Sequence, residues 1–339
     1  MNTPTVSVII PVRNEGRNIE RCLRQIIHQT YDISKLEVLI VDGNSNDDTL
    51  ELIKKFSEAH PHLNMLVLND LNCQRTTALN AGIKRANGEY IVRLDARSMI
   101  SNDYIEQCIA TIRQVGADNV GGVQKPVHSP DINITQHAVG LAMSHPFGVG
   151  NAQFRTGSIS GKVDSVYLGC FPKHIFQKIG YFDDHAVIIS EDSDFNYRIR
   201  KAGGSVYLNK DIIVHYLPRE NMLDLARLYY RYGGARAGFM MKWKSYTGYR
   251  QLAPPLFIFA LFALPIASIA FSWCVGIWAI MIASYLSLNV LSSISISRTE
   301  KKCGLFQRLL IIFPILHFSW AIGFWSRIMQ VNAKTYWKY

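Results

Sequence analysis

VSVIIPVRNEGRNIERCLRQII (residues 6–27) and LEVLIVDGNSNDDTLELI (residues 36–53) follow one pattern: an apolar run, a polar turn, then a helix-periodic stretch. Residues 6–10 read as a buried strand. Asn14 or Asn18 is placed to cap the helix after it, where Ile19, Leu23, Ile26 and Ile27 share a face. Residues 36–41 form a second strand, and Asp47 or Asp48 caps a helix bearing Leu50, Ile53 and Phe56. Further on, 65–68 reads as strand, 76–86 as helix, 90–94 as strand, and a helix opens near Asp103. This alternation predicts a parallel, doubly wound α/β sheet. Such sheets bind ligands beyond the carboxyl ends of their strands. After residue 123 the pattern loosens, and 125–162, rich in Gly, Ser, His and Asn, is expected to be irregular and functional. Order returns with a strand at 163–168, a helix at 173–179, an acidic helix at 191–202 and short strands at 206–208 and 212–215.

The length of 339 residues suggests about two domains. Residues 252–290 carry almost no charge and 309–325 none. A transmembrane helix needs roughly 20 apolar residues, so these stretches hold about three spans. The net charge of +10 gathers beside them, in Arg219, Arg227, Arg231, Arg236, Lys242, Lys244 and Arg250, then Arg298, Lys301, Lys302 and Arg308. That placement points to membrane lipids, and no nucleic-acid motif is present. Residues 220–246 interleave Leu and Tyr with Arg and Lys, as a helix at a membrane interface or one packed on the first domain would. Six scattered cysteines without a CxxC pair fit buried thiols in a reducing compartment. The amino terminus lacks a basic region before its first apolar run, so it reads as a strand and the first domain as cytosolic. A third full span would put Arg327, Lys334 and Lys338 outside, against the positive-inside rule; a re-entrant last segment, with Pro314 and His317, is the alternative.

Three acidic stations carry the chemistry. Asp42 ends the second strand before Gly43, Asn44 and Ser45, where it could hold a ribose hydroxyl or simply close a turn. Asp95, in LDAR after the fourth strand, could ligate Mg²⁺ or Mn²⁺. Glu191 and Asp192 open the acidic helix, suited either to the helix macrodipole or to general-base work on a hydroxyl. His215, after an apolar strand, is a usable metal ligand. Arg231 and Arg236, around Gly233 and Gly234, could bind phosphate or lipid headgroups.

VSVIIPVRNEGRNIERCL, VLIVDGNSNDDTLELI, TTALNAGIKRANGEYIVRLDA, YLGCFPKHIFQKIGYFDD and EDSDFNYRIRKAGG together resemble the family 2 glycosyltransferases, inverting enzymes of the GT-A fold. The membrane-anchored, succinoglycan-type bacterial members are the nearer likeness. The resemblance implies a mostly parallel GT-A (Rossmann-like) sheet domain (1–218), an amphipathic interface region (219–250) and a membrane domain of about three helices (251–339). It implies that Pro11, Arg13 and Glu15 line the base pocket, that Asp42 holds base or ribose, and that Arg75 helps hold the nucleotide. Asp95 would be the first acid of the DxD motif and Asp192 the general base, with Glu191 beside it. Arg231 and Arg236 fall where relatives contact donor diphosphate or acceptor. One departure is Arg97 in place of the second DxD acid, which leaves His215 to complete a Mn²⁺ or Mg²⁺ site, or Arg97 itself to offset diphosphate charge. The lack of a tryptophan signature in RYGGAR argues against a cellulose-synthase-like processive enzyme.

The implied reaction moves a hexose from a nucleotide diphosphate sugar, UDP-linked by expectation, to a polyprenyl diphosphate-linked saccharide at the plasma membrane. Two alternatives remain open: a polyprenyl-phosphate glycosyltransferase, and a non-catalytic sugar-nucleotide-binding scaffold of an export complex.

Overall fold

The computed structural model describes residues 5–127, 132–157, 159–184, 191–245 and 249–332. The chain forms two compact units, residues 1–125 with 157–217, and residues 126–156 with 218–339.

The opening alternation forms as read: β1 (Val6–Val12), α1 (Ile19–Ile27), β2 (Leu36–Asp42), α2 (Thr49–Ala59), β3 (Asn64–Asn69), α3 (Arg75–Arg85) and β4 (Tyr90–Arg93). Next come β5 (Ser98–Ile100), α4 (Tyr104–Val115) and β6 (Asn119–Pro126). Three helices, α5 (Ile134–Ala142), α6 (Pro146–Val149) and α7 (Gln153–Thr156), occupy the stretch expected to be irregular. The first unit closes with β7 (Gly161–Lys162), β8 (Tyr167–Pro172), α8 (His174–Ile179), α9 (Glu191–Lys201) and β9 (Val206–Tyr216).

Among the described residues the strands make one sheet in the order β3-β2-β1-β4-β8-β6-β9-β5, with β7 on β9. β3, β2, β1 and β4 pair in parallel. The apolar runs of β1, β2 and β4 are buried on both faces, as parallel strands between helices must be; Val8, Ile9, Ile10, Val38 and Ile40 are all shut from solvent, while β3, at the sheet edge, leaves Leu66 and Val67 exposed. The pairs β4–β8, β6–β8, β5–β9 and β7–β9 are antiparallel. The sheet is therefore mixed rather than mostly parallel, because the helical crossovers that keep strands parallel stop at β4. Of the strand expected at 163–168 only 167–168 form one, as the start of β8, with Leu168 and Gly169 at positive φ; β7 lies just before the expected span. The two short strands expected at 206–215 are one. Its exposed middle stays in line where the Lys210 N–H donates to Ser160 Oγ at 3.0 Å. The chain crosses from β2 and β3 on one side of β1 to β4 on the other, the switch point at whose strand carboxyl ends open α/β sheets bind ligands.

The second unit adds α10 (Met222–Trp243), α11 (Tyr249–Ala267), α12 (Trp273–Glu300) and α13 (Leu305–Asn332). Three helices among the described residues are long and apolar enough to cross a membrane: Arg250–Ala267, Trp273–Glu300 and Leu305–Gln330. α13 runs unbroken through Pro314; Lys334 and Lys338 lie outside the described residues. Leu225, Tyr229, Gly233 and Ala237 recur every four residues as the buried face of α10. There α10 meets α13 backbone to backbone: a Cβ on Gly233 would stand 1.9 Å from the Trp320 carbonyl oxygen, and one on Gly323 equally close to that of Tyr230.

Prolines inside these helices leave a carbonyl four residues back without its N–H partner. Pro255 frees Gln251, Pro265 frees Leu261 and Pro314 frees Leu310. Each freed oxygen takes a side-chain N–H from a neighbouring helix: Trp320 Nε1 at 3.1 Å, Trp278 Nε1 at 3.1 Å and Asn289 Nδ2 at 3.0 Å.

Candidate active site

The loops after β1 and β2 are knitted together at the open edge of the sheet. Asn14 and Asn44 both take left-handed backbone conformations, φ 54° and 60°, which asparagine tolerates better than most residues. Asn14 Oδ1 accepts from the Asn46 N–H at 2.9 Å, and the Asn14 N–H donates to Ser45 Oγ at 2.9 Å. Asp42, opposite Val12 in register and almost fully buried, accepts from the Ser45 N–H at 3.0 Å and from Ser45 Oγ at 2.5 Å. Its carboxylate thus closes the turn. Pro11 stands opposite Val41. Arg13 is exposed and its Nη1 reaches the Cys73 carbonyl at 3.5 Å.

The loop after β4 answers the loop after β1. Arg97 Nε donates to Glu15 Oε1 at 2.8 Å and Oε2 at 3.1 Å. The residue in place of a second DxD acid is therefore paired with another residue expected at the nucleotide.

The densest charge lies at Arg93, the last residue of β4, whose side chain is 3% exposed. Its Nε donates to Asp95 Oδ1 at 3.1 Å, and its Nη2 to Glu191 Oε1 at 3.0 Å. Its Nη1 meets Asp192. Arg75, at the start of α3, reaches the same Glu191 oxygen at 3.5 Å. Burial opposes charge on Arg93, but Asp192, Asp95 and Glu191 hold its proton well above the usual arginine range. Burial pushes Asp95 up, but Arg93 and Arg75 outweigh it and hold the acid below its ordinary value. Burial pushes Asp192 up to about 7, with Glu191 and Asp95 adding to the rise against Arg93 and Arg75. Two guanidiniums and three carboxylates thus share one site, and one acid titrates near neutrality, the condition for proton transfer.

α9 presents Glu191 and Asp192 because the rest of that helix is fixed. Phe195 stacks in a cluster with Phe171, Phe176 and Phe182, 4.5 Å from the last. Asn196 bonds Asn119 and Ser165. Arg198 donates to the Ile179 and Tyr181 carbonyls. Ser190, the cap expected for this helix, lies outside the described residues.

Asp95, Glu191, Asp192 and Arg75 are thus brought together, and Glu15 joins Arg97. His215 is exposed on β9, opposite Met99 of β5, with no contact to Asp95. Arg231 and Arg236 lie on α10 in the second unit, where the Arg236 guanidinium covers the Phe239 ring at 5.1 Å. Among the described residues no three His, Cys, Asp or Glu side chains converge as a metal cage. Arg93 was missed by the sequence reading. Its signal was a lone cation inside YIVRL, where an apolar run demands burial.

Residues 7–168 match the model of glycosyl transferase family 2, and residues 90–325, more than half the chain, that of glycosyl transferase family group 2. The chain belongs to glycosyl transferase family 2. This glycosyltransferase is similar to the succinoglycan biosynthesis protein ExoA of Rhizobium meliloti (strain 1021), 24% identical over 96% of either chain. It is also similar to the dolichyl N-acetyl-alpha-D-glucosaminyl phosphate 3-beta-D-2,3-diacetamido-2,3-dideoxy-beta-D-glucuronosyltransferase of Methanococcus voltae, 24% identical over 97% of this chain and 98% of that one. Among solved structures it is similar to the mannosyltransferase PcManGT of Pyrobaculum calidifontis, in complex with GDP-Man and Mn²⁺. The TM-score there is 0.62 at 18% identity, covering 96% of this chain and 88% of that one. The first unit of the family 2 enzyme is thus a GT-A domain.

Proposed function

We propose that this glycosyltransferase moves a hexose from a nucleotide diphosphate sugar, UDP-linked, to a saccharide carried on a polyprenyl diphosphate, inverting the anomeric carbon. The product belongs to exopolysaccharide or surface glycan assembly at the plasma membrane, with the first unit cytosolic. The observation that carries the reading is the Arg93 cluster, which sets Asp192 beside Asp95 at the ligand-binding edge of the sheet.

Asp192 takes the proton from the acceptor hydroxyl as its oxygen attacks the anomeric carbon from the face opposite the leaving nucleotide. Glu191 stands beside Asp192, paired with Arg75 and Arg93. Pro11, Arg13, Glu15 and Asp42 hold base and ribose, with Arg75 near the nucleotide; Arg231 and Arg236 serve diphosphate or acceptor phosphate. Magnesium-type ions are commonly held by one or two carboxylates plus substrate phosphates. One strand-end carboxylate, Asp95, therefore fits Mn²⁺ or Mg²⁺, with the substrate diphosphate and water as the further ligands. Bound there, the ion would offset charge on the departing diphosphate. The acceptor class is favoured by the name of the Methanococcus relative, a transferase to a dolichyl-linked sugar.

The test is transfer in purified membranes from UDP- and GDP-sugars, with and without lipid-linked acceptors, in Mn²⁺, Mg²⁺ or EDTA. Wild type runs beside Asp192→Asn. Transfer from a UDP-sugar to a lipid-linked saccharide, lowered about 10²–10⁴-fold in the variant, is expected. Transfer to a lipid phosphate that ignores the substitution would support a polyprenyl-phosphate transferase instead. Nucleotide binding without turnover would sink the enzyme mechanism.

A further inference from the structure

We infer that Arg93 is a positioning residue: its guanidinium ties the carboxylate just after β4 to the two carboxylates opening α9, and so fixes where the proton acceptor stands relative to the donor. The inference rests on the reading of Asp192 as the base and adds a residue to it. Arg93 does not touch substrate in this role. It acts through Asp192.

The geometry makes the argument. Each face of a guanidinium fork can hold a different acceptor, which an ammonium cannot reproduce. Here the Nε edge takes Asp95 at 3.1 Å, Nη2 takes Glu191 at 3.0 Å, and Nη1 takes Asp192. The three acids come from two places far apart in sequence, the loop after β4 and the start of α9. Without a buried cation between them they would repel one another and draw apart. Arg93 is 3% exposed and Glu191 4%, while Asp95 and Asp192 keep 21% and 27%, so water reaches the outer acids but does not replace the cation at their centre. Arg75, at 57% exposure, pairs with Glu191 at 3.5 Å and approaches the cluster from its solvent side.

The test is a kinetic cycle on the full-length enzyme in membranes. It uses Arg93→Lys, Asp192→Asn and the double variant, with kcat read beside the nucleotide dissociation constant and a melting curve. Arg93→Lys keeps the charge and loses the fork. Expected is a fall in kcat of at least about tenfold with nucleotide affinity held within about threefold. The double variant should be no slower than Asp192→Asn alone, because the two act as one unit. Losses that multiply, or an Arg93→Lys enzyme with wild-type kcat, overturn the inference while leaving the transferase reading intact. A wild type without turnover overturns both. Should Arg93→Lys lose its melting transition, Glu191→Gln replaces it. That change cuts one arm of the fork and is expected to lower kcat with nucleotide affinity kept; an unchanged kcat overturns the inference.

Discussion

Asp192 is the side chain whose chemistry is most exposed to measurement. Burial raises its pKa to about 7 even with Arg93 in contact. A base works only when deprotonated, so a raised pKa means activity is lost as pH falls through about 7. In single-turnover transfer at saturating acceptor, kcat should drop about tenfold per pH unit below that value and level off above it. The residual rate of Asp192→Asn should lack this limb. A wild-type profile flat from pH 5.5 to 8 would remove Asp192 from the role. The acids themselves were legible in the sequence, because strand ends and helix starts are where carboxylates show. Arg93 was not, since a cation in YIVRL carries no periodic signal and two of its three partners, Glu191 and Asp192, lie 98 and 99 residues away. Asp42 shows the opposite limit: a short-range Ser45 turn satisfies it, and that was one of the two readings the residue allowed.

Among the helices of the second unit, prolines mark the joints. A freed carbonyl in an apolar setting costs free energy unless a donor finds it, and the donors here come from adjacent helices. Removing one donor while keeping the proline leaves an orphan oxygen, whereas removing both restores an ordinary helix bond. Asn289→Leu should therefore destabilise the detergent-solubilised protein by about 1–2 kcal/mol, read as a lower melting temperature. Asn289→Leu combined with Pro314→Ala should recover most of the loss. Failure of the second change to rescue the first would show that Asn289 contributes by packing alone. The parallel half of the sheet was readable because β1, β2 and β4 are uniform β-branched runs. β8 and β9 were blurred by Gly169, Pro172 and the exposed Lys210 and Asp211, which sit in antiparallel ladders where polar residues alternate freely. The helices α5–α7 escaped because each is short, α6 and α7 only four residues with no buried side chain and α5 with a buried face that mixes Gln136, His137 and Gly140 among its apolar residues.

The two apolar helices α11 and α12 leave large side chains uncovered, among them Phe259, Phe262, Ile266, Trp273, Ile280 and Leu291. Soluble monomers rarely expose such continuous apolar surface, so a bilayer is the natural cover. α13 is different: Leu309, Ile312, Phe313 and Leu316 are wholly buried, and the segment from α5 to α6 is tied to it, with His317 Nε2 meeting the Phe147 carbonyl at 2.8 Å. Arg308 Nε reaches Thr135 Oγ1 at 3.1 Å, and His137 pairs with Glu300 at 3.0 Å. The turn between α12 and α13, with Lys301, Lys302 and Cys303, is thereby held beside α5. Positive charge on a short loop between spans marks the cytosolic side. Cys303 is the exposed thiol there, while Cys22, Cys108, Cys170 and Cys274 are buried. In a Cys73→Ser background, a membrane-impermeant maleimide should label the protein only after the cells are permeabilised, and Cys303→Ser should abolish that labelling. Labelling of intact cells would invert the topology and place the loop, and with it the basic cluster at 298–308, outside.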